Sequence, residues 1–470
     1  MTPPQDTAPD GLPYPQRLWA TFSVTIAILM AVLDAAIANI ALPTIARDLH
    51  VSASDSIWVV NAYQLSVVMS ILPASSLGDI FGHRRVFKTG LAIFTLASIA
   101  CALSPTLLTL TIARVIQGFG AAGIMGVNIA MIRFIYPRKE IARGLGFSAF
   151  VVALSSAGGP AVASGVLSVA SWPWLFAINL PVGFVALFVL GRFLPAPKGS
   201  GNPFDWTSAT LSSATFGLLV IGLEGIAHGQ AAWQASLELL AAVILGTVLI
   251  RREMKRPAPL LAVDLFRIPV FSLSVLTSLC CFTAQGLGMV VLPFYFEGAL
   301  GRSQVETGFL ITPWALMVGL LSPVMGRLSE RYPAGILCTV GMAVMSVGMI
   351  SLALVPADAG NLDIALRVTL CGLGFGLYQT PNNRLVQTSA PRERAGGANG
   401  IGSSTRVLGQ TTGAALVALV FGLLPPVAGE PGHSGSVALF IGTGISVFAA
   451  VVSSLRLADF SRSRPPAAAD

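Results

Sequence analysis

Fourteen long apolar stretches divide the chain, and its basic residues gather in every second connection between them. The stretches cover residues 18–42, 57–77, 86–104, 107–130, 141–167, 172–192, 207–227, 233–250, 270–296, 305–328, 334–355, 363–386, 396–424 and 435–457. About 20 residues suffice for a helix to cross ~30 Å of hydrocarbon, so each stretch predicts a transmembrane helix. The expected fold class is all-α, a polytopic membrane protein with 14 transmembrane helices.

The charge pattern orients these helices. The even-numbered connections carry Arg84, Arg85 and Lys88, then Arg133, Arg138, Lys139 and Arg143, then Arg192 and Lys198. They continue with Arg251, Arg252, Lys255, Arg256 and Arg267, then Arg327 and Arg331, then Arg384, Arg392 and Arg394, and finally Arg456, Arg462 and Arg464. The opposite connections carry only Arg47 and Arg302. Such a bias places the basic turns and both termini in the cytoplasm. It also accounts for the formal charge of +7 without a nucleic-acid partner, because no basic segment forms a domain of its own.

With 54% hydrophobic and 10% charged residues, the chain is too apolar for a soluble globule of this length. Its five cysteines, Cys101, Cys280, Cys281, Cys338 and Cys371, all fall inside apolar stretches, where a thiol behaves as a small hydrophobe. The four histidines are scattered over connections, so no metal site is expected. Phosphate-loop, HExxH, GxSxG and CxxC patterns are absent from the sequence, which points away from an enzyme.

An internal repeat relates helices 1 to 6 to helices 9 to 14. Helix 2 runs into SSLGDIFGHRRVF and helix 10 into SPVMGRLSERYPAG; helix 4 opens ARVIQGFGAAG and helix 12 opens LRVTLCGLGFG. Repeats of this kind mark transporters that hold substrate near the midplane between two rocking halves. The expected organisation is a tail over 1–17, a six-helix bundle over 18–198, an inserted pair (helices 7 and 8) with a basic linker over 199–256, a second six-helix bundle over 257–458 and a tail over 459–470. The bundles are expected to be pseudo-symmetric. Glycines of helices 4 and 12 are expected to let helices approach closely, since lipid supplies no hydrophobic drive between them.

Asp34 lies two-thirds along helix 1, in ILMAVLDAAIANIALP, with no other charge within a dozen residues. A carboxylate at membrane depth costs ~2.5–3.5 kcal/mol on an insertion scale, which makes it a functional candidate with a required partner. Arg114 in helix 4 is that candidate partner. Burial favours the neutral acid and a nearby guanidinium the carboxylate, so the pair is suited to binding and releasing a proton. Asn39, Tyr63, Gln64, Asn128, Gln285, Tyr378, Gln379 and Asn382 are the candidate wall of a substrate cavity between the halves. In the second half the ionisable residues are sparser: Arg367 and Arg406, with Glu224 on helix 7 and Glu297 at the outer end of helix 9.

These segments resemble the major facilitator superfamily and, within it, the fourteen-helix drug:proton antiporter family of bacterial exporters. LDAAIANIALP is similar to that family's helix 1 motif through Asp34, Asn39, Leu42 and Pro43, and WVVNAYQL to its helix 2 pattern. LGDIFGHRRVF resembles the superfamily's cytoplasmic loop motif through Gly78, Asp79, Gly82, Arg84 and Arg85, with Ile80 and His83 where basic residues are common. RVIQGFGAAG carries the helix 4 motif in Arg114, Gln117, Gly118 and Gly120; SSAGGPAVASG resembles the antiporter motif of helix 5, centred on Gly159 and Pro160. WPWLFAINLPVG, LYQTPNNR and STRVLGQTTGAAL look like the family's helices 6, 12 and 13.

The resemblance implies a proton-coupled secondary exporter of amphipathic, cationic or aromatic compounds, working by alternating access in the bacterial cytoplasmic (inner) membrane. It implies Asp34 and Arg114 as the coupling pair, the helix 2–3 turn as a latch between halves, and the Gly159–Pro160 bend as a hinge. The expected partners are a small-molecule substrate, protons and the bilayer. The chain is expected to act as a monomer with no cofactor, drawing on the proton gradient. Export of one antibiotic or metabolite, or proton-coupled uptake of a nutrient, fits the same residues.

Overall fold

The computed structural model describes residues 11–194, 204–227, 230–254, 263–391, 394–424 and 432–462. Lys198, Lys255, Arg256, Arg392 and Arg464, the boundaries drawn near 198 and 256, most of the N-terminal tail, and the side chains of Glu224 and Glu330 lie outside the described residues. Among the described residues there is helix and no strand.

Helices lie where the apolar stretches predicted them. We number them α1 (Gln16–Asp48), α2 (Ala53–Phe81), α3 (His83–Ala102), α4 (Leu107–Ile135), α5 (Ile141–Leu167), α6 (Pro173–Phe193), α7 (Trp206–Ala227), α8 (Ala232–Glu253), α9 (Pro269–Gly298), α10 (Gln304–Arg331), α11 (Ala334–Ala353), α12 (Asn361–Thr388), α13 (Ala395–Leu423) and α14 (His433–Arg462). Eleven are long and apolar enough to cross a membrane; α5, α7 and α12 are the others. α12 is the polar one, carrying Asp363, Arg367, Gln379, Asn382, Asn383 and Arg384. Local chemistry sets several ends. The Ser52 hydroxyl accepts from the Asp55 amide at the start of α2, capping boxes Thr106/Thr109 and Ser303/Glu306 open α4 and α10, and α2 stops at Gly82, whose φ of 95° suits glycine.

The packing repeats with the sequence. In the first half α1 packs on α5 and α6, α2 on α4, and α3 on α4 and α6. In the second half α9 packs on α13 and α14, α10 on α12, and α11 on α12 and α14. The halves meet through α2 against α13 and α5 against α10, again a symmetric pair of contacts, with α1 against α9 between them. α7 lies along the seam, touching α2 and α13, and holds α8 to the bundle. The Ser213 hydroxyl of α7 donates to the Met69 carbonyl of α2 at 2.7 Å.

Glycine permits the closest of these approaches. A Cβ on Gly118 would stand 2.6 Å from the Tyr63 carbonyl oxygen of α2, and one on Gly120 2.5 Å from the Phe94 amide of α3. Gly120→Val is therefore expected to push α3 and α4 apart and to cost about 1–3 kcal/mol, as overpacking does. A lowered melting temperature of the purified protein in detergent checks it.

The halves are joined firmly at one end. At the end of the bundle holding Arg47, one apolar cluster runs from Ile40, Ile45 and Ile57 of the first half into Leu310, Ile311 and Phe421 of the second. There Arg47 pairs with Glu297 at 3.1 Å, and the Ser54 hydroxyl donates to the Ala418 carbonyl at 3.1 Å. At the other end the ion pairs Arg17–Glu140, His83–Asp79 and Arg394–Asp264 each stay within one half.

Candidate functional site

The centre of the first half is a polar cluster around Asp34, 2% exposed on α1. Arg114 of α4, wholly buried, pairs with its Oδ2 through Nη1. Oδ1 accepts from Gln117 Nε2 at 3.0 Å and from Asn179 Nδ2 of α6 at 2.7 Å. Gln117 also donates to the Ser98 hydroxyl of α3 at 2.9 Å and accepts from Arg114 Nη1 at 2.6 Å. Helices α1, α4 and α6 thus meet at one carboxylate, both of whose oxygens are occupied, and α3 joins through Ser98 and Gln117.

The guanidinium is held on its other sides too. Arg114 Nε donates to the Val59 carbonyl of α2 at 2.9 Å, and Cζ lies 4.2 Å from the Tyr63 ring centroid and 5.5 Å from that of Phe176. Such faces attract a cation most where water is excluded. Arg114 Nη2 has no hydrogen-bond partner among the described residues. A fully buried pair repays its desolvation only to the extent that its remaining groups are satisfied, and here all but Nη2 of the groups named have a partner.

The sequence placed Asp34, Arg114 and Gln117 together; it did not assign Asn179, Ser98 or Phe176. Asn179 stood in the quoted WPWLFAINLPVG segment, and an amide inside an apolar helix was the available signal. Tyr63 belongs to this cluster and not to a cavity wall: it is buried and its hydroxyl donates to the Ala31 carbonyl at 3.0 Å. Asn128 links α4 to α5 through Ser148 at 3.2 Å. Between the halves, the Thr411 hydroxyl of α13 donates to Gln64 of α2 at 3.2 Å, and Gln410 donates to Gln285 of α9 at 3.1 Å. Asn39 and Gln379 are half-buried.

The second half departs from the expected wall. Tyr378 and Asn382 are buried inside it, both bonded to the Ser278 hydroxyl, at 3.1 and 2.7 Å. With them lies Arg456, assigned to a cytoplasmic connection by sequence and in fact 1% exposed inside α14, which continues to Arg462. Its partners are neutral: Ser274 at 3.0 Å, Asn382 Oδ1 at 2.9 Å, Thr277 at 3.5 Å and Ser453 at 2.6 Å. Arg367, the counterpart of Arg114, pairs with Asp363 one turn away at 3.0 Å and with the Ser351 carbonyl. The repeat therefore keeps its scaffold and loses its buried carboxylate.

The turn after α2 does not bridge the halves in this conformation. Asp79 is 2.9 Å from His83 Nε2 and Arg84 Nη2 donates to the Gly191 carbonyl of α6 at 3.0 Å, while Arg85 is exposed. Gly78 packs on Val127, and Gly159 of α5 sits against Ala36 of α1, followed by Pro160 within a continuous helix.

Comparison with known proteins agrees with this architecture. The Major Facilitator Superfamily profile matches residues 24–414. The chain is 52% identical over 452 residues to the uncharacterized transporter YebQ of Escherichia coli K12, covering 95% of this chain and 97% of that one. It is 32% identical to the multidrug resistance protein Stp of Mycobacterium tuberculosis, covering 86% of this chain and 76% of Stp. Among solved structures, a bacterial homolog of the human lysosomal transporter Spinster, inward-facing and unoccupied, superposes with a TM-score of 0.70 at 16% identity, covering 97% of this chain and all of that one.

Proposed function

The chain belongs to the Major Facilitator Superfamily, a transporter family, and from that premise we propose that it is a proton-coupled antiporter that exports amphipathic or aromatic compounds. The buried Asp34, held by Arg114, Gln117 and Asn179, carries this reading. A proton on Asp34 removes the charge that these donors serve, so Arg114 and its helix must find a new arrangement. Asp34 shares α1 with Arg47, and α1 packs against α9 across the seam. The protonation state at the centre is thereby linked to the Arg47–Glu297 contact that joins the halves.

All fourteen helices cross the membrane in this reading, as two six-helix halves with α7 and α8 inserted. The basic turns mark the cytoplasmic side of a bacterial inner membrane, so the Arg47 end faces outward and this conformation is closed to the exterior. A proton arriving from outside binds Asp34 as substrate leaves; its release inward resets the carrier, which acts as a monomer. Linkage requires that proton and substrate bias the same two states in opposite senses. Homology to Stp, a multidrug resistance protein by name, favours export over uptake.

The test is accumulation of aromatic dyes of both charges, ethidium and pyrenebutyrate, in everted membrane vesicles containing the protein and energised with an inward-acid gradient. Accumulation above protein-free membranes, collapsing on addition of a protonophore, is the expected result. Accumulation indifferent to the protonophore would remove the antiport reading.

A further inference from the structure

Arg406 of α13 is a charge that the Asp34 mechanism leaves unused. It is half-buried, and among the described residues it makes no ion pair or hydrogen bond. Its direction follows from its neighbours on the helix. Gly409 and Gly413 face α9, where a Cβ on Gly409 would be 2.8 Å from that of Phe282. Thr411 and Val407 face α2 and the first half. Leu408, on the remaining side, packs with the cluster containing Phe216 of α7. At about 100° per residue, Arg406 and Gln410 fall between the α9 face and the α2 face, opposite the side covered by α7. Arg406 therefore points toward the seam between the halves, between α9 and α2.

The other charges described inside the two halves have partners. Asp34 is matched by Arg114, Glu297 by Arg47 and Arg367 by Asp363, while Arg456 sits within α14 among neutral groups that take up its donors. Among these cations Arg406 is the one with no ion pair or hydrogen bond among the described residues, and it lies at the seam beside the Gln410–Gln285 pair. A guanidinium at such a position offers a planar fork matched to a carboxylate or a similarly delocalised oxyanion, and it repels a cation.

We propose that Arg406 is a substrate-binding residue and that the compounds moved are amphipathic organic anions, an acidic group on an aromatic or apolar body. This deepens the exporter reading and rests on it. The acid meets Arg406, the amides of Gln410 and Gln285 lie beside that contact, and the apolar body lies against the walls of the two halves.

The test is equilibrium binding to the purified full-length protein of two probes with one apolar body and opposite charge, pyrenebutyrate and pyrenebutyltrimethylammonium, read by pyrene fluorescence. Wild type is expected to bind the acid at least about tenfold more tightly than the cation, Arg406→Gln to lose that preference and Arg406→Lys to keep part of it. Equal or tighter binding of the cation by wild type, or unchanged acid binding by a folded Arg406→Gln protein, overturns the proposal. Circular dichroism and gel filtration establish that the variant is folded. Binding needs no gradient, so intact acid binding without proton-driven accumulation would remove the antiport reading and leave Arg406 as the anion site.

Discussion

Asp34→Asn is expected to reduce proton-driven accumulation in everted vesicles to that of membranes without the protein, while exchange of substrate for substrate across the same membranes persists. Oδ2 of Asp34 serves Arg114, and Oδ1 serves Gln117 and Asn179. An asparagine keeps one acceptor oxygen and turns an NH2 toward these donors, and it has no proton to take up in the working pH range. Removing one partner of a buried pair costs about 3–5 kcal/mol. Arg114 retains the Val59 carbonyl, the Gln117 oxygen and the Tyr63 face, which offset part of that loss. A less heat-stable but inserted protein should result. Exchange needs only the substrate-loaded carrier to move between its two states, so it separates loss of coupling from loss of folding. A variant that still concentrates substrate against a proton gradient would displace Asp34 from the coupling role. Loss of exchange as well would make the cluster structural.

Asp34 was legible because a lone carboxylate in an apolar run is energetically out of place, and such a residue must be explained by a partner. Arg114 followed from its place in helix 4 and from its motif. Asn179 was hidden because a neutral amide at a helix entrance also reads as a cap, and only the fold brings α6 against α1. Arg456 was misplaced by the same charge rule that oriented the helices. Basic residues near a helix end satisfy the positive-inside pattern whether they lie at the interface or one turn and a half inside, and α14 runs six residues beyond it. Periodicity does not encode depth at that resolution. Tyr378 and Asn382 went with Arg456, since a polar residue in α12 can face either the seam or its own half, and the partner that decides is on another helix. The helix 2–3 latch is a different case. Its motif is plain in the sequence, but a motif does not say whether Asp79 and Arg84 reach the other half, and here both bond within their own half.

Locking the halves where they now touch should stop turnover altogether. Ser164 of α5 and Gly308 of α10 face each other across the seam, and a Cβ built on Gly308 lies 3.0 Å from the Ser164 Cβ. Disulfides hold their Cβ atoms at about 3.8 Å, so the pair Ser164→Cys and Gly308→Cys needs a separation of under about 1 Å more than the present one to form a bond. Four native cysteines, Cys101, Cys281, Cys338 and Cys371, are buried and Cys280 is half-buried, so the new pair is the one an oxidant should close first. Oxidised, the double variant is expected to lose both proton-driven accumulation and exchange, and to recover them on reduction; each single variant should be insensitive to the oxidant. This pattern differs in kind from that of Asp34→Asn, which spares exchange. The contrast follows from the two jobs that the proposed antiport assigns: α5 and α10 would form the surface on which the halves move, whereas Asp34 would decide whether a proton must ride with that movement. A cross-linked protein that still transports would mean that these helices do not part during the cycle, and the moving seam would then have to be sought at α2 and α13.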